Sequence, residues 1–315
     1  MSLHHGRFGG LWTDQVDAAR EIEKRRRAGK LAEGEAAGLS NFVRDGFVIL
    51  GGAVSAEVID RLLADLDAAW AGRLPSIHVE HWESGVQEVS LARPELRARP
   101  AKLLDLYSES AAAREAIFAP VLRNFLALLF EGPILAFQSL SFQRGTGQPM
   151  HQDTAYVVVE GAPLEMAASW IALEDIAPGA GELEYYPGSH RMPEYPFAGG
   201  HKNLLPGDPG RQHDHYLAWL HEQAARMGLE RRRFRAKRGD ALVWAADLAH
   251  GGSPVEQPLA TRRSLVTHYC PAAREPGYFR AVAHSGRRLH VPGCLYVSPL
   301  RLGGAEERVR DFDLG

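Results

Sequence analysis

A histidine and an aspartate lie two residues apart in the segment MHQDT (150–154), at His151 and Asp153. In an extended chain, residues at this spacing point to the same face, so an imidazole and a carboxylate there can chelate one metal ion. An H-x-D pair alone is weak evidence, because it often arises by chance as a surface polar pair. The pair indicates a metal site only if the chain supplies a further ligand.

His250 is a candidate for that further ligand. It follows the apolar run ALVWAA (241–246), which is typical of a buried strand, and it precedes the glycine turn at Gly251 and Gly252. Two histidines and one carboxylate make a facial triad that leaves three coordination positions open, an arrangement that suits non-haem Fe(II). A zinc hydrolase more often keeps a single open position. The ligand types therefore favour an iron centre.

Arg262 comes twelve residues after His250, in TRRSL (261–265). A guanidinium can bind a carboxylate through two parallel hydrogen bonds, as 2-oxoglutarate would need, although an isolated arginine can equally be a solvated surface charge. Arg262 and Arg263 are adjacent on a predicted strand, so one should face inward and the other outward. The inward one is a candidate to bind an anionic cosubstrate.

Short strands must position these residues. After Pro133, apolar or alternating runs are separated by turns rich in glycine and proline, a pattern typical of a β-sandwich or barrel. The predicted strands are 134–143, 166–174, 182–186, 241–246 and 263–270. Arg262 comes directly before the last of these strands and His250 shortly after the fourth, whereas His151 and Asp153 lie in the connection between the first two.

The first 130 residues are predicted to be mainly helical. The charged segment 14–36 is predicted to be one solvated helix, and periodic apolar residues predict another over 111–131. A long interruption of the β region at 192–230 is expected to be a lid-like insertion, because long insertions in compact β domains often cover a site. We expect an N-terminal helical extension over 1–40 and a single domain over 41–315.

The composition narrows the functional classes. The 315 residues are 45% hydrophobic and 24% charged, with a net charge of -3, which gives no overall attraction to nucleic acid or anionic membranes. No stretch approaches the roughly 18 apolar residues of a membrane helix, and the N-terminus lacks the apolar segment of a signal peptide. The two cysteines, Cys270 and Cys294, indicate a reducing compartment. We expect a cytoplasmic protein that acts on a small molecule, without a nucleic-acid or membrane partner and with its oligomeric state open.

The order and spacing of these motifs resemble the phytanoyl-CoA dioxygenase family of Fe(II)/2-oxoglutarate oxygenases. The likeness lies in NFVRDGFVILGGAVS (41–55), MHQD (150–153), SWIALEDI (169–176), GELEYYPGSHR (181–191), AHGGS (249–253) and TRRSLVTHY (261–269). It covers roughly residues 40 to 275. The resemblance implies a mainly β fold, a double-stranded β-helix or cupin-like jelly-roll barrel with flanking N-terminal helices.

The resemblance also implies roles for individual residues. His151, Asp153 and His250 match the family's iron ligands, and Arg262 matches its 2-oxoglutarate arginine. The implied reaction decarboxylates 2-oxoglutarate to succinate and CO2 while O2 oxidises a substrate C–H bond. Halogenating relatives replace the carboxylate with a small residue, so Asp153 favours hydroxylation.

Two further positions are implied to lie beside the cosubstrate. Gln138 is located where relatives have a polar residue near it, and Trp170 matches a family tryptophan that packs next to it. Both also have simpler interpretations, since Gln138 can satisfy backbone groups and Trp170 can be ordinary core. One departure stands out: many relatives have serine two residues after the last histidine, whereas this chain has Gly252, followed by Ser253.

Other polar groups are interpreted as structural. His190 is assigned to a turn or to the wall of the site, the His213 and His215 pair to a polar loop, and His268 to a satisfied core position. The basic run RRRFRAKR (231–238) is interpreted as a solvated strand edge, where positive charge opposes aggregation. Binding of an anionic substrate such as a CoA ester to this run stays open.

Two other functions compete with the oxygenase. One is a cupin-like metalloenzyme that uses another divalent metal and no 2-oxoglutarate. The other is a non-catalytic barrel that serves as a binding module. O2 consumption that requires 2-oxoglutarate would distinguish the oxygenase from the cupin-like metalloenzyme. Fe(II) binding would distinguish it from the binding module.

Overall fold

Two β-sheets carry the residues singled out above. The structure, a computed structural model, describes residues 4–83, 86–205, 210–277, 288–291 and 294–297. Within these residues, ten strands form a large sheet and three form a small one. The strands are β1 (Phe47–Leu50), β2 (His78–Glu83), β3 (Val86–Leu91), β4 (Ala101–Leu104), β5 (Ile134–Phe142), β6 (Ala167–Ala172), β7 (Leu183–Tyr185), β8 (Arg232–Phe234), β9 (Ala241–Ala245), β10 (His250–Gly252), β11 (Ser264–Pro271), β12 (Arg288–Val291) and β13 (Cys294–Val297).

The large sheet runs in the order β1-β9-β6-β11-β5-β4-β2-β3, with neighbours antiparallel. β13 pairs with β5 in parallel and with β12 antiparallel. The five strands predicted from apolar runs are all present. At the centre of the sheet, His268 lies opposite Gln138 on one side and Ala168 on the other, which places these side chains on one face.

The small sheet, in the order β10-β7-β8, packs against the inner face of the large one. Trp170 and Val266 of the large sheet share an apolar core with Leu183, Tyr185 and Phe234 of the small sheet. Two antiparallel sheets that enclose a core between them are the jelly-roll architecture expected from the sequence, and the fold prediction is confirmed.

Helices cover the other face of the large sheet. They are α1 (Ala18–Arg27), α2 (Glu33–Asp45), α3 (Ala56–Trp70), α4 (Ala111–Ile117) and α5 (Pro120–Phe130). The insertion carries α6 (Gly210–Arg226), whose buried Tyr216 and Leu220 belong to a separate core with Met150 and Ala249. Ile59 of α3 and Leu126 of α5 are buried in one core with Val243 and Leu265 of the sheet. None of the helices in the described ranges is both long and apolar enough to cross a lipid bilayer.

The single helix predicted over 14–36 is wrong, because the chain turns between α1 and α2. Gly29 adopts a left-handed φ of 69°, a conformation that glycine allows at little steric cost and that ends a helix. α2 then continues through residue 40, so the expected start of the main domain falls inside a helix. Leu39 and Phe42, on either side of that position, are buried in the same core.

The helix predicted over 111–131 is also two helices. Pro120 begins α5, and a proline lacks the N–H group that a continuous helix would use. Proline also disfavours a helical conformation for the residue before it, and Ala119 accordingly has a ψ of 141°. Apolar periodicity alone did not reveal this break, because both helices present apolar residues to the same core.

Candidate active site

The backbone brings His151 and His250 together. After β5 the chain leaves the large sheet and passes beside the small one, where His151 and His250 form a β-bridge with reciprocal N–H to carbonyl hydrogen bonds of 2.8 Å. Asp153 follows at the start of a short 3-10 turn. Two segments far apart in the sequence thus converge on one point at the edge of the small sheet.

Both imidazoles are oriented by backbone carbonyls. The Nδ1 of His151 donates to the carbonyl of Pro149 at 2.8 Å, and the Nδ1 of His250 donates to that of Leu248 at 2.9 Å. With Nδ1 protonated and engaged, each Nε2 keeps its lone pair for a metal ion. Gln148 places its amide nitrogen 3.3 Å from the Nε2 of His151.

Asp153 completes the cluster. Its Oδ1 lies 3.8 Å from the Nε2 of His151 and 3.6 Å from the Nε2 of His250, and one ligand atom from each of the three residues lies within 4.8 Å of the others. All three residues are buried. Two neutral imidazoles and one carboxylate around a common point are a donor set that fits a divalent transition metal.

The electrostatics keep His151 and Asp153 in the forms that bind a metal ion. Burial, reinforced by the neighbouring His250, lowers the pKa of His151 to about 3. Burial also acts to raise the pKa of Asp153, but His250, His268 and His151 outweigh it and hold that pKa below its ordinary value. At neutral pH the His151 imidazole is therefore neutral and the carboxylate is charged.

The other carboxylate oxygen of Asp153 meets two residues that the sequence interpretation did not assign to the site. Trp244 donates its Nε1–H to Oδ2 at 2.7 Å, and the Nε2 of His268 lies 3.5 Å from the same atom. The interpretation of His268 as a satisfied core histidine is wrong, because neither ring nitrogen has a hydrogen-bond partner among the described residues. Its alternation with Val266 on β11 could have predicted that it faces the barrel interior.

Arg262 faces inward and Arg263 faces outward. Arg262 is 4% exposed, with its guanidinium 5.1 Å from the Phe142 ring and 5.9 Å from the Trp170 ring. Burial lowers its pKa to about 10, and its Nε lacks a hydrogen-bond partner among the described residues. Arg263 instead pairs with Glu174 at 2.6 Å. A buried guanidinium with an unpaired donor fits an anionic ligand such as a carboxylate.

Gln138 and Trp170 line the space between the arginine and the histidines. Gln138 lies opposite His268 in register, and Trp170 lies opposite Val266. Trp170 is 1% exposed, and its Nε1 has no partner within the described ranges. Both residues thus belong to the inner face that connects Arg262 to the metal cluster.

Ser253 does not face this space as the serine of many relatives does. Its hydroxyl donates to Oε2 of Glu182 at 2.9 Å, and both residues are almost fully buried. Glu182 in turn is the acidic group whose charge acts on Arg262. The Ser253 hydroxyl is therefore engaged by Glu182.

Three further histidines singled out in the sequence lie outside the metal cluster. His190 donates its Nε2–H to the carbonyl of Val43 at 3.2 Å and so binds the end of α2. Of the pair in the insertion, His213 bonds the Tyr156 hydroxyl at 2.7 Å, whereas His215 is exposed. The interpretation of His190 as a turn residue agrees with its place in the 3-10 turn Ser189–Arg191. The polar loop expected for His213 and His215 is wrong, because both lie in the helix α6.

The basic run lies at the edge of the small sheet, where β8 is the last strand. Its charges face carboxylates: Arg231 pairs with Glu184 at 2.9 Å, and Arg238 pairs with Asp60. These two guanidinium groups are therefore partly neutralised within the fold.

The insertion packs against the metal motif. The Tyr216 hydroxyl of α6 accepts the backbone N–H of Gln152 at 2.9 Å. Lys202, which is 5% exposed, pairs with Asp247 at 2.6 Å, and Thr154 donates its hydroxyl to the same carboxylate. The insertion therefore supports the loop that carries His151 and Asp153.

Comparisons with known proteins agree with this geometry. The sequence model of the phytanoyl-CoA dioxygenase family (PhyH) matches residues 42–263. No curated protein matches the chain.

Solved structures with this fold are numerous. The epimerase SnoN, in complex with Fe3+, alpha ketoglutarate and nogalamycin RO, is 18% identical with a TM-score of 0.56, over 76% of this chain and 85% of that chain. The carbocyclase SnoK from nogalamycin biosynthesis is 16% identical with a TM-score of 0.57, over 78% and 87%. EctD from S. alaskensis, with 2-oxoglutarate and 5-hydroxyectoine, is 18% identical with a TM-score of 0.54, over 87% of each chain.

Proposed function

Because the chain belongs to the phytanoyl-CoA dioxygenase family, we propose that it is an Fe(II)- and 2-oxoglutarate-dependent dioxygenase that hydroxylates a C–H bond of a small molecule. The observation that carries the proposal is one buried inner face with the His151, Asp153 and His250 cluster at one end and Arg262 at the other, whose Nε has no partner among the described residues. The inner face thus offers candidate ligands for Fe(II) and a guanidinium for 2-oxoglutarate.

The triad is assigned to Fe(II). His151 and His250 offer their Nε2 atoms, because both Nδ1 atoms are held by carbonyls, and Asp153 offers Oδ1. Three protein ligands leave room for a chelating cosubstrate and O2. When bound, Fe(II) and 2-oxoglutarate supply O2 activation, in which 2-oxoglutarate becomes succinate and CO2 while a substrate C–H bond is oxidised.

Arg262 is assigned to the distal carboxylate of 2-oxoglutarate. Its fixed planar donors fit a carboxylate, and desolvation by Phe142 and Trp170 strengthens the charge-assisted bond. Gln138 and Trp170, on the same face, are assigned to the walls of the cosubstrate pocket. These side chains orient the cosubstrate and exclude water, while the cofactor supplies the oxidising chemistry.

The surroundings favour a small-molecule substrate and a cytoplasmic location. Several charges of the basic run are paired with carboxylates, which disfavours a nucleic-acid partner. Cys270 and Cys294 are buried and form no disulfide among the described residues, which fits a reducing compartment.

Product analysis under 18O2 tests the proposal. We expect O2 consumption to require both Fe(II) and 2-oxoglutarate, and a candidate substrate to gain one 18O atom as succinate forms. Oxidation without 2-oxoglutarate would instead identify a cupin-like metalloenzyme, and absence of Fe(II) binding would identify a binding module. A product of unchanged mass, or one lacking two hydrogens, would replace hydroxylation with epimerisation or ring closure.

A further inference from the structure

The two oxygens of the Asp153 carboxylate have different surroundings. Oδ1 faces the Nε2 atoms of His151 and His250 at 3.8 and 3.6 Å. Oδ2 points the other way, accepts the Nε1–H of Trp244 at 2.7 Å and lies 3.5 Å from the Nε2 of His268. The carboxylate therefore lies between the two candidate histidine ligands on one side and two residues of the large sheet on the other.

We propose that Trp244 and His268 are positioning residues that reserve Oδ2 and so leave Asp153 a single oxygen for the metal. A carboxylate whose second oxygen is free can bind a metal through both oxygens. Such chelation would occupy one of the three positions that the cosubstrate and O2 need. This inference rests on the proposed function, since it concerns the same iron centre.

The placement of both residues supports this role. Trp244 is 1% exposed on β9, and its ring lies 4.7 Å from that of His250, so the indole fixes a ligand and the carboxylate together. His268 is 3% exposed on β11, with its ring 6.1 Å from that of Phe137. Burying an imidazole is costly unless its nitrogens meet polar partners, and Oδ2 of Asp153, 3.5 Å from Nε2, is the partner that the described residues offer.

The geometry distinguishes a positioning role from direct metal binding. His268 approaches Oδ2, whereas the three-residue cluster of candidate ligands converges on Oδ1. Its second nitrogen, Nδ1, has no described partner either, so the ring is free to donate from Nε2 to the carboxylate. Outer groups that bind a ligating carboxylate typically change metal affinity or activity 10- to 100-fold when they are removed.

The test compares Trp244→Phe, His268→Leu and His268→Gln in the full chain. Anaerobic calorimetry gives Fe(II) affinity, and a second titration gives 2-oxoglutarate affinity of the Fe(II)-loaded protein. We expect Trp244→Phe and His268→Leu to weaken 2-oxoglutarate binding roughly tenfold or more. His268→Gln, which keeps a donor, should recover most of the loss. Trp70→Phe and His81→Gln, at buried positions in the outer core, should match wild type.

Thermal unfolding of each apo variant separates misfolding from a local effect. Affinities within twofold of wild type in folded Trp244→Phe and His268→Leu would overturn the inference. Loss of Fe(II) binding in His268→Leu as complete as in His151→Ala would also overturn it, by making His268 a ligand. Failure of the wild-type protein to bind Fe(II) would instead refute the proposed function, on which this inference rests.

Discussion

At the scale of single residues, the site depends on which atoms are already engaged. The Nδ1 atoms of His151 and His250 donate to backbone carbonyls, and Oδ2 of Asp153 accepts from Trp244. The two Nε2 atoms and Oδ1 are left facing one another. Arg262, by contrast, keeps an unpaired donor although it is buried. The pattern of engaged and free atoms is what makes this barrel a candidate for a metal and a dicarboxylate together.

Arg262→Lys should weaken 2-oxoglutarate binding roughly ten- to hundredfold, because a charge-assisted hydrogen bond contributes about 1.5–3 kcal/mol and lysine lacks the planar pair of donors. Fe(II) affinity should change little, because Arg262 is not among the candidate metal ligands. Titration of 2-oxoglutarate into Fe(II)-loaded protein measures this.

Arg263→Lys is the matched control, since Arg263 faces outward and pairs with Glu174. We expect its 2-oxoglutarate affinity to equal that of wild type. A defect in Arg263→Lys without one in Arg262→Lys would show that the assignment of the inward arginine is reversed.

The candidate metal cluster was predictable from the sequence, because His151 and Asp153 lie two residues apart and His250 follows an apolar strand run. His268 and Trp244 were not, because their partner, Asp153, is distant in the chain and becomes a neighbour only through sheet pairing. Local alternation indicates which face a residue takes but not which polar atom it meets there.

At the scale of elements, α6 and the N-terminal segment act as supports of the barrel. α6 holds the backbone of the metal motif through Tyr216 and Gln152. Residues 5–14 border a cavity of about 520 Å³ together with 190–194, and Arg7 pairs with Glu194 there at 2.8 Å. Helix boundaries were the weaker part of the sequence predictions, because turns at single residues decide them.

Tyr216→Phe should lower the free energy of unfolding by about 1–3 kcal/mol, since it leaves the buried N–H of Gln152 without its acceptor. It should also weaken Fe(II) binding, because Gln152 lies between His151 and Asp153. Chemical denaturation and calorimetry measure the two effects.

Tyr195→Phe is the control, since that hydroxyl makes only a 3.5 Å contact to the carbonyl of Gln212, within the insertion itself. We expect little change in Fe(II) affinity. Equal Fe(II) affinity in the two variants would mean that α6 does not support the metal motif.

Asp14 gives the N-terminal segment a pH dependence. Burial raises its pKa from 3.8 to about 7, assisted by the charges of Asp247 and Glu165 and opposed by the backbone N–H of Leu11 and by Arg191. Because the folded-state pKa lies above the unfolded value, its contribution to stability is complete below about pH 4 and is lost as the pH rises through 7.

Asp14→Asn removes this titration but keeps an acceptor for the N–H of Leu11. We expect the melting temperature of wild type to fall more than that of the variant between about pH 5 and pH 8. Asp214→Asn, at an exposed position of α6, should follow wild type. If the melting temperatures of wild type and Asp14→Asn depend on pH in the same way, the raised pKa of Asp14 is contradicted.

At the scale of the whole molecule, the lid predicted over 192–230 stays a proposal, and the contacts of Lys202 make it testable. Lys202 is bound by Asp247, which also holds Thr154 of the metal motif. If ligands stiffen that motif, Lys202 should become less accessible to a protease.

The jelly-roll fold could be predicted from the regular short strands and the family resemblance. The contact between the insertion and the metal motif could not, because it joins residues that are distant in the sequence.

Limited trypsin digestion tests this coupling. Cleavage after Lys202 should slow when Mn(II), 2-oxoglutarate and a confirmed substrate are added to the full chain. Cleavage after Lys30, an exposed residue between α1 and α2, should not change and serves as the internal control. Equal rates of cleavage after Lys202 with and without ligands would indicate that the insertion does not close over the site.

The central claim is that one centre binds Fe(II) and 2-oxoglutarate together, and anaerobic absorption spectroscopy tests it most directly. Chelation of 2-oxoglutarate to Fe(II) produces a visible charge-transfer band. We predict that the band appears in wild type only when both are added, saturates at one equivalent of each, and is absent in Asp153→Ala. A wild-type protein without the band, or an Asp153→Ala variant that keeps it at full intensity, would contradict the account.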